Sequence, residues 1–137
     1  MRIIFFVSIV IMTSIFSTGC MPQKQLYYFG KYSQTLYSLE KNQTEEALNN
    51  HKQELESVIS GSEVRNLPVP PGILAELGYI NLKANNSQEA IRLFKAESQL
   101  YPESKHFMDR LIQKAKAKED AASNRSGLST SKNATTK

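Results

Sequence analysis

Cysteine is nearly missing from this chain, tryptophan is missing altogether, histidine occurs twice, and neither sign of charge dominates. Each shortage closes off a class of function. A single thiol, Cys20, rules out an internal disulfide and a zinc site built on several thiolates. His51 and His106 lie far apart, and there is no His-Glu-x-x-His, no glycine-rich phosphate loop and no Gly-x-Ser-x-Gly turn. Lys and Arg number 17 against 13 Asp and Glu, a formal charge of +4. That is well short of the clustered basic excess that grips nucleic acid through its phosphates. Glu45, Glu46 and Glu103 read as acids in the first turns of helices, not as a general acid and its base. The expectation is a non-catalytic protein with no cofactor, no metal, no nucleic acid and no small-molecule substrate.

A long hydrophobic run is also lacking. The longest, Ile3 to Phe16, covers 14 residues, whereas a helix needs about 20 to cross a bilayer. With Met1-Arg2 before it and small Ser17, Thr18 and Gly19 after it, residues 1–19 have the layout of an export signal. At this point FSTGCMP resembles the lipobox of bacterial lipoprotein precursors, with Ser17 standing where that family usually has leucine. The resemblance implies that Cys20 is diacylated (palmitate-type lipid) on sulfur, that the signal is cut before it, and that the new amine is acylated. Each buried methylene contributes about 0.8 kcal/mol, so several chains make a practically permanent anchor. Met21 rather than Asp follows Cys20, which the resemblance reads as sorting to the outer membrane with the body facing the periplasm.

What remains divides into a lipidated tether with an aromatic segment (20–31), a helical domain (32–122) and a polar tail (123–137). The tail, SNRSGLSTSKNATTK, has one leucine and no aromatic residue, too little apolar surface to offset the cost of ordering, and is expected to be disordered. Roughly 95 residues are left for a core, near the lower limit for a stable domain.

Apolar residues in that core recur at helical spacing. A helix is predicted from Tyr32 to Lys41. Thr44 then caps a second helix carrying Ala47, Leu48, His51, Leu55, Val58 and Ile59 on one stripe and ending near Ser60-Gly61. Three prolines in NLPVPPG interrupt the pattern, with Pro71 the first position of a third helix carrying Ile73, Leu77, Ile80 and Ala84. Ser87 caps a fourth, with Ala90, Ile91, Phe94 and Leu100, which Pro102 stops. Ser104 opens the last, with Phe107, Met108, Leu111, Ile112 and Ala115 inward. The fold class is all-α.

The stretch from Leu74 to Pro102 resembles a tetratricopeptide repeat, with Leu77, Gly78, Ala90, Phe94 and Pro102 at that family's offsets and Asn81 and Glu97 departing from its pattern. Gly78 in mid-helix implies a close helix approach, with Ala90 facing it. Glu46-Ala47-Leu48-x-x-His51-Lys52-x-Glu54 matches Glu89-Ala90-Ile91-x-x-Phe94-Lys95-x-Glu97 at an offset of 43. Two antiparallel helical hairpins and a C-terminal capping helix follow. Solenoids generally need three or more repeats, so two should leave a face for a partner.

Tyr27, Tyr28, Phe29, Tyr32 and Tyr37 crowd the segment after the tether, either packed on the domain itself or forming an interface or a membrane-surface contact. Together with Cys20, Pro70-Pro71-Gly72, AELGYI and ESQLYPESKHFMDRL, they resemble the lipoprotein family called domain of unknown function 4810. That resemblance implies a small outer-membrane lipoprotein assembling with a curli-secretion-type lipoprotein and other envelope lipoproteins. The competing expectation is a periplasmic module that binds cell-wall polymer or anionic lipid through Lys105, Arg110, Lys114, Lys116 and Lys118.

Overall fold

A computed structural model describes residues 25–132, with side chains as far as residue 124. The predicted export signal, Cys20 and residues 133–137 lie outside that range. Five α-helices follow one another: α1 Tyr32–Asn42, α2 Glu45–Val64, α3 Ile73–Lys83, α4 Ser87–Leu100 and α5 Lys105–Lys132, with a 3-10 turn, Pro102–Ser104, between the last two. Among the described residues there is no strand, and each helix packs on the next in the chain. The protein is all-α.

Helix boundaries follow from short-range chemistry. Gln43 takes the left-handed conformation (φ 45°) that ends α1, and the hydroxyl of Thr44 accepts the Ala47 N–H to start α2. Glu45 and Glu46 then sit where the positive end of the helix dipole favours acids. The α3–α4 turn is fixed by asparagines. Asn85 is left-handed, Asn81 is buried, and its side-chain oxygen accepts from Asn86 while its amide donates to the Leu77 carbonyl.

Several predicted boundaries move. Helix α2 does not stop at Ser60-Gly61 but runs to Val64, because Ser62 is buried and back-bonds to the Val58 carbonyl and Gly61 lies under an aromatic ring. Pro71 is not the first helical position of α3. Gly72, at φ 89°, holds the N-cap place, and that left-handed turn separates the prolines from the helix. Ser87 is the first residue of α4 rather than its cap, since Asn86 precedes it. Ser104 belongs to the 3-10 turn before α5. Phe107 points out, 58% exposed, whereas Met108 and Ala115 are buried as predicted. The backbone of α5 is helical to Lys132, past the predicted tail boundary at 122, because no proline follows Pro102 to break it.

Two buried clusters hold the helices together. Leu55, Val58, Ile73, Leu74, Leu77 and Leu93 join α2, α3 and α4. Leu82, Ala90, Ile91, Phe94, Met108 and Ala115 join α3, α4 and α5. Helix α1 contributes no buried residue and lies as a cover on the first cluster through Tyr32.

Candidate functional site

The aromatic segment reaches the bundle before α1 begins. The ring of Tyr28 lies on Gly61, where any Cβ would meet it at 2.3 Å, and the Arg65 guanidinium sits 3.9 Å over the ring centroid. The Lys31 N–H donates to Glu54 Oε1 at 2.6 Å, and Tyr27 stacks edge-on to Phe29 and lies beside the Tyr101 phenol. Burial above all, with the neighbouring Tyr27, Glu97 and Glu103, pushes the Tyr101 phenol up to about 12; its hydroxyl donates to the Val69 carbonyl. Residues 26–31 thus form a strap pinned to α2, with Tyr27 beside the residue that follows α4. Tyr27, Tyr28 and Tyr32 are half-buried against the chain's own helices, whereas Phe29 and Tyr37 stay exposed.

Beneath the strap lies a buried polar network. His51, wholly enclosed, has Nδ1 2.8 Å from Thr35 Oγ1 and Nε2 3.0 Å from Glu76 Oε1, and the Tyr32 hydroxyl donates to Glu76 Oε2 at 2.9 Å. Burial, then the Glu76 hydrogen bond and charge, raises the Tyr32 phenol to about 12. Thr35 has one hydroxyl hydrogen and two acceptors in reach, His51 Nδ1 and the Tyr32 carbonyl at 3.1 Å. If it donates to the ring, His51 is neutral and gives its Nε2–H to Glu76. If it donates to the carbonyl, His51 Nδ1 is the donor to the Thr35 oxygen. The order hydroxyl, imidazole, carboxylate is that of a nucleophile relay. Here, however, the imidazole is sealed from solvent, and its bonds fasten α1 and α3 to α2. Thr35 and Glu76 carry no motif that marks them in the sequence; only the histidine on an apolar stripe hinted at a buried partner.

The residues singled out for repeat packing come together in part. Leu77, Ala90 and Phe94 are buried, and Pro102 opens the 3-10 turn after α4. The nearest neighbour of Gly78 is the ring of Phe94, which a Cβ would strike at 2.7 Å. His51 meets Thr35 as Phe94 meets Gly78, both pairs related by the same offset of 43. Glu54 and Glu97 share that offset and a task. Glu54 accepts the N–H of Lys31, the N-cap of α1, and Glu97 that of Gly72, the N-cap of α3, at 2.7 Å.

Between the first hairpin and α3 a cleft of about 590 Å³ stays open, lined by Leu36 and Leu39 of α1, Leu48 and Lys52 of α2, Tyr79 and Ile80 of α3, and Ala84 just after it. Its lining is mainly apolar, and Tyr79 is 45% exposed. On α5, Lys105, itself exposed, pairs with Asp109 at 2.8 Å and Lys118 donates to the Leu82 carbonyl at the end of α3, which leaves Arg110, Lys114 and Lys116 as the exposed members of the basic set that neither contact engages.

A family model described as domain of unknown function, DUF4810, matches residues 26–111. The chain belongs to the DUF4810 family. The match begins with the strap and ends inside α5, so the strap is part of the DUF4810 unit as much as the helices are. No curated protein and no solved structure matches the chain. Among the described residues no group of three or more His, Cys, Asp or Glu side chains is placed to hold a metal ion, and no helix is long and apolar enough to cross a membrane.

Proposed function

We propose that this DUF4810 protein is a non-catalytic lipoprotein, anchored through Cys20 to the periplasmic face of the outer membrane, that serves as a structural subunit of an envelope assembly containing a curli-secretion-type lipoprotein. The observation that carries the reading is the uncovered cleft beside α3. Two hairpins that repeat each other's packing leave Leu36, Leu39, Leu48 and Ile80 around a space wide enough for apolar side chains of a partner. The one imidazole in the buried network is closed to any reactant, which favours a scaffold over an enzyme. Wall polymer or anionic lipid is the weaker reading, because two of the five basic residues it needs are already engaged within the fold.

The test places a photo-crosslinking residue at Tyr79, and at Lys116 as a control, in the native host. Position 79 should give one discrete adduct with another envelope lipoprotein, and Leu39→Asp should abolish it. Wild-type protein that runs as a monomer after mild detergent extraction at native levels overturns the proposal. Labelling with a palmitate analogue should mark the wild type and not Cys20→Ala.

A further inference from the structure

We infer that the end of the bundle where α2 and α4 finish is a membrane-contacting surface, so that the body stands end-on against the bilayer; this rests on the lipid anchor proposed above. Among the described residues seven large apolar side chains are exposed, and five of them, Leu26, Phe29, Val64, Leu100 and Phe107, belong to this end. Their exposure runs from 45% at Phe29 to 81% at Val64. The contacts that gather the segments are specific: Tyr28 on Gly61 and Arg65, Tyr101 on the Val69 carbonyl, and Gly72 on Glu97. These tie the strap, the close of α2, the proline link and the close of α4 into one patch.

The chain leaves the bundle from the same patch. Between Cys20 and Gln25, the first described residue, a fully extended backbone spans at most about 18 Å. A lipid at Cys20 therefore holds this end, and not the opposite one, within reach of the bilayer. Charge does not supply the attraction. Exposed Lys31 is set against exposed Glu63 and Glu103, Lys105 is paired with Asp109, and Arg65 is committed to the Tyr28 ring and the Gly61 carbonyl. The fitting partner is the interfacial layer of a bilayer, entered by apolar side chains regardless of headgroup charge.

The experiment uses the full lipidated chain with single substitutions Val64→Cys, Leu100→Cys and Phe107→Cys, and Tyr79→Cys and Lys116→Cys as controls. Acylation of Cys20 leaves each new thiol as the free one for a polarity-sensitive fluorophore. In phosphatidylcholine vesicles, labels at 64, 100 and 107 should be at least twofold less accessible to aqueous iodide than labels at 79 and 116. The same contrast should hold with phosphatidylglycerol added. Equal accessibility at all five positions, in protein that floats with the vesicles, overturns the orientation and spares the anchor. Protein from cells that fails to float overturns the anchor and this inference with it. Shielding that appears only when a second envelope protein is added also overturns it, since protein and not lipid would then cover the end.

Discussion

Gly78 shows how one missing atom shapes the molecule. A Cβ there would lie 2.7 and 2.9 Å from two carbons of the Phe94 ring and 3.3 Å from Leu93 Cβ, and the ring is fully buried with no room to retreat. Alanine would gain up to about 1 kcal/mol of helix propensity and lose about 1–3 kcal/mol to overpacking. Gly78→Ala is therefore expected to lower the thermal midpoint by several degrees in circular dichroism, and a rise would show that α3 and α4 do not approach as described. Glu76 acts in the opposite sense, by filling a need. Glu76→Ala strands the Nε2 of an enclosed His51 and the hydroxyl of Tyr32, at a cost of about 1–3 kcal/mol. It should also bring the Tyr32 phenol down from about 12, though not to its ordinary value, since burial is the larger cause. Ultraviolet titration of tyrosinate reads that change. Tyr32 and Tyr101 both ionise near 10 when unfolded and near 12 when folded, so the unfolded chain loses protons first. Their contribution to stability is complete below about pH 10 and is lost between about 10 and about 12, and chemical denaturation across that range should show the decline.

Among elements, the strap is the one whose attachment is local. It is held by one ring on a glycine, one guanidinium, and one backbone hydrogen bond to Glu54. Gly61→Ala would put a Cβ 2.3 Å from Tyr28 Cε1, and Tyr28, half-buried on a segment outside the helices, is free to leave. The expected result is faster amide exchange through residues 26–31 with the bundle's stability changed by no more than about 1 kcal/mol, because α2 gains the propensity of alanine. Unchanged exchange in the strap would mean that Tyr27 and Phe29 suffice to hold it. The two hairpins illustrate a second point about elements. Their sequence match of nine positions contains only a few identities, yet the buried ring, the small partner across from it and the glutamate that caps the preceding helix are each repeated. Physical roles persist where residue types differ: a histidine bonded to threonine stands in for a phenylalanine packed on glycine.

For the whole molecule, the order of packing decides what can be removed. Helix α5 supplies Met108 and Ala115 to the second cluster and, through Lys118, a donor to the last carbonyls of α3. A chain ending at Ser104 would uncover Leu82, Ala90, Ile91 and Phe94, and is expected to be insoluble or to lack a cooperative transition. A chain ending at Asn124 keeps all of these contacts, and its thermal midpoint should stay within about 2 °C of the full protein's. A large loss from the shorter deletion would show that the rest of α5 is bound to the bundle.

The sequence by itself determined the helical class, the number and order of the helices, and the turns, because apolar spacing, asparagines and prolines act over a few residues. It also marked the offset between hairpins and the histidine on the buried stripe. It did not reveal that Gly78 receives the Phe94 ring, that Phe107 faces outward, or that Gly61 lies inside a helix under Tyr28. Those outcomes depend on how helices rotate against one another, and that rotation is set by side chains meeting across dozens of residues. The Thr35–His51–Glu76–Tyr32 network and the cleft beside α3 were likewise decided by tertiary structure alone. Their members come from three helices, and no local pattern in any one of them records the other two.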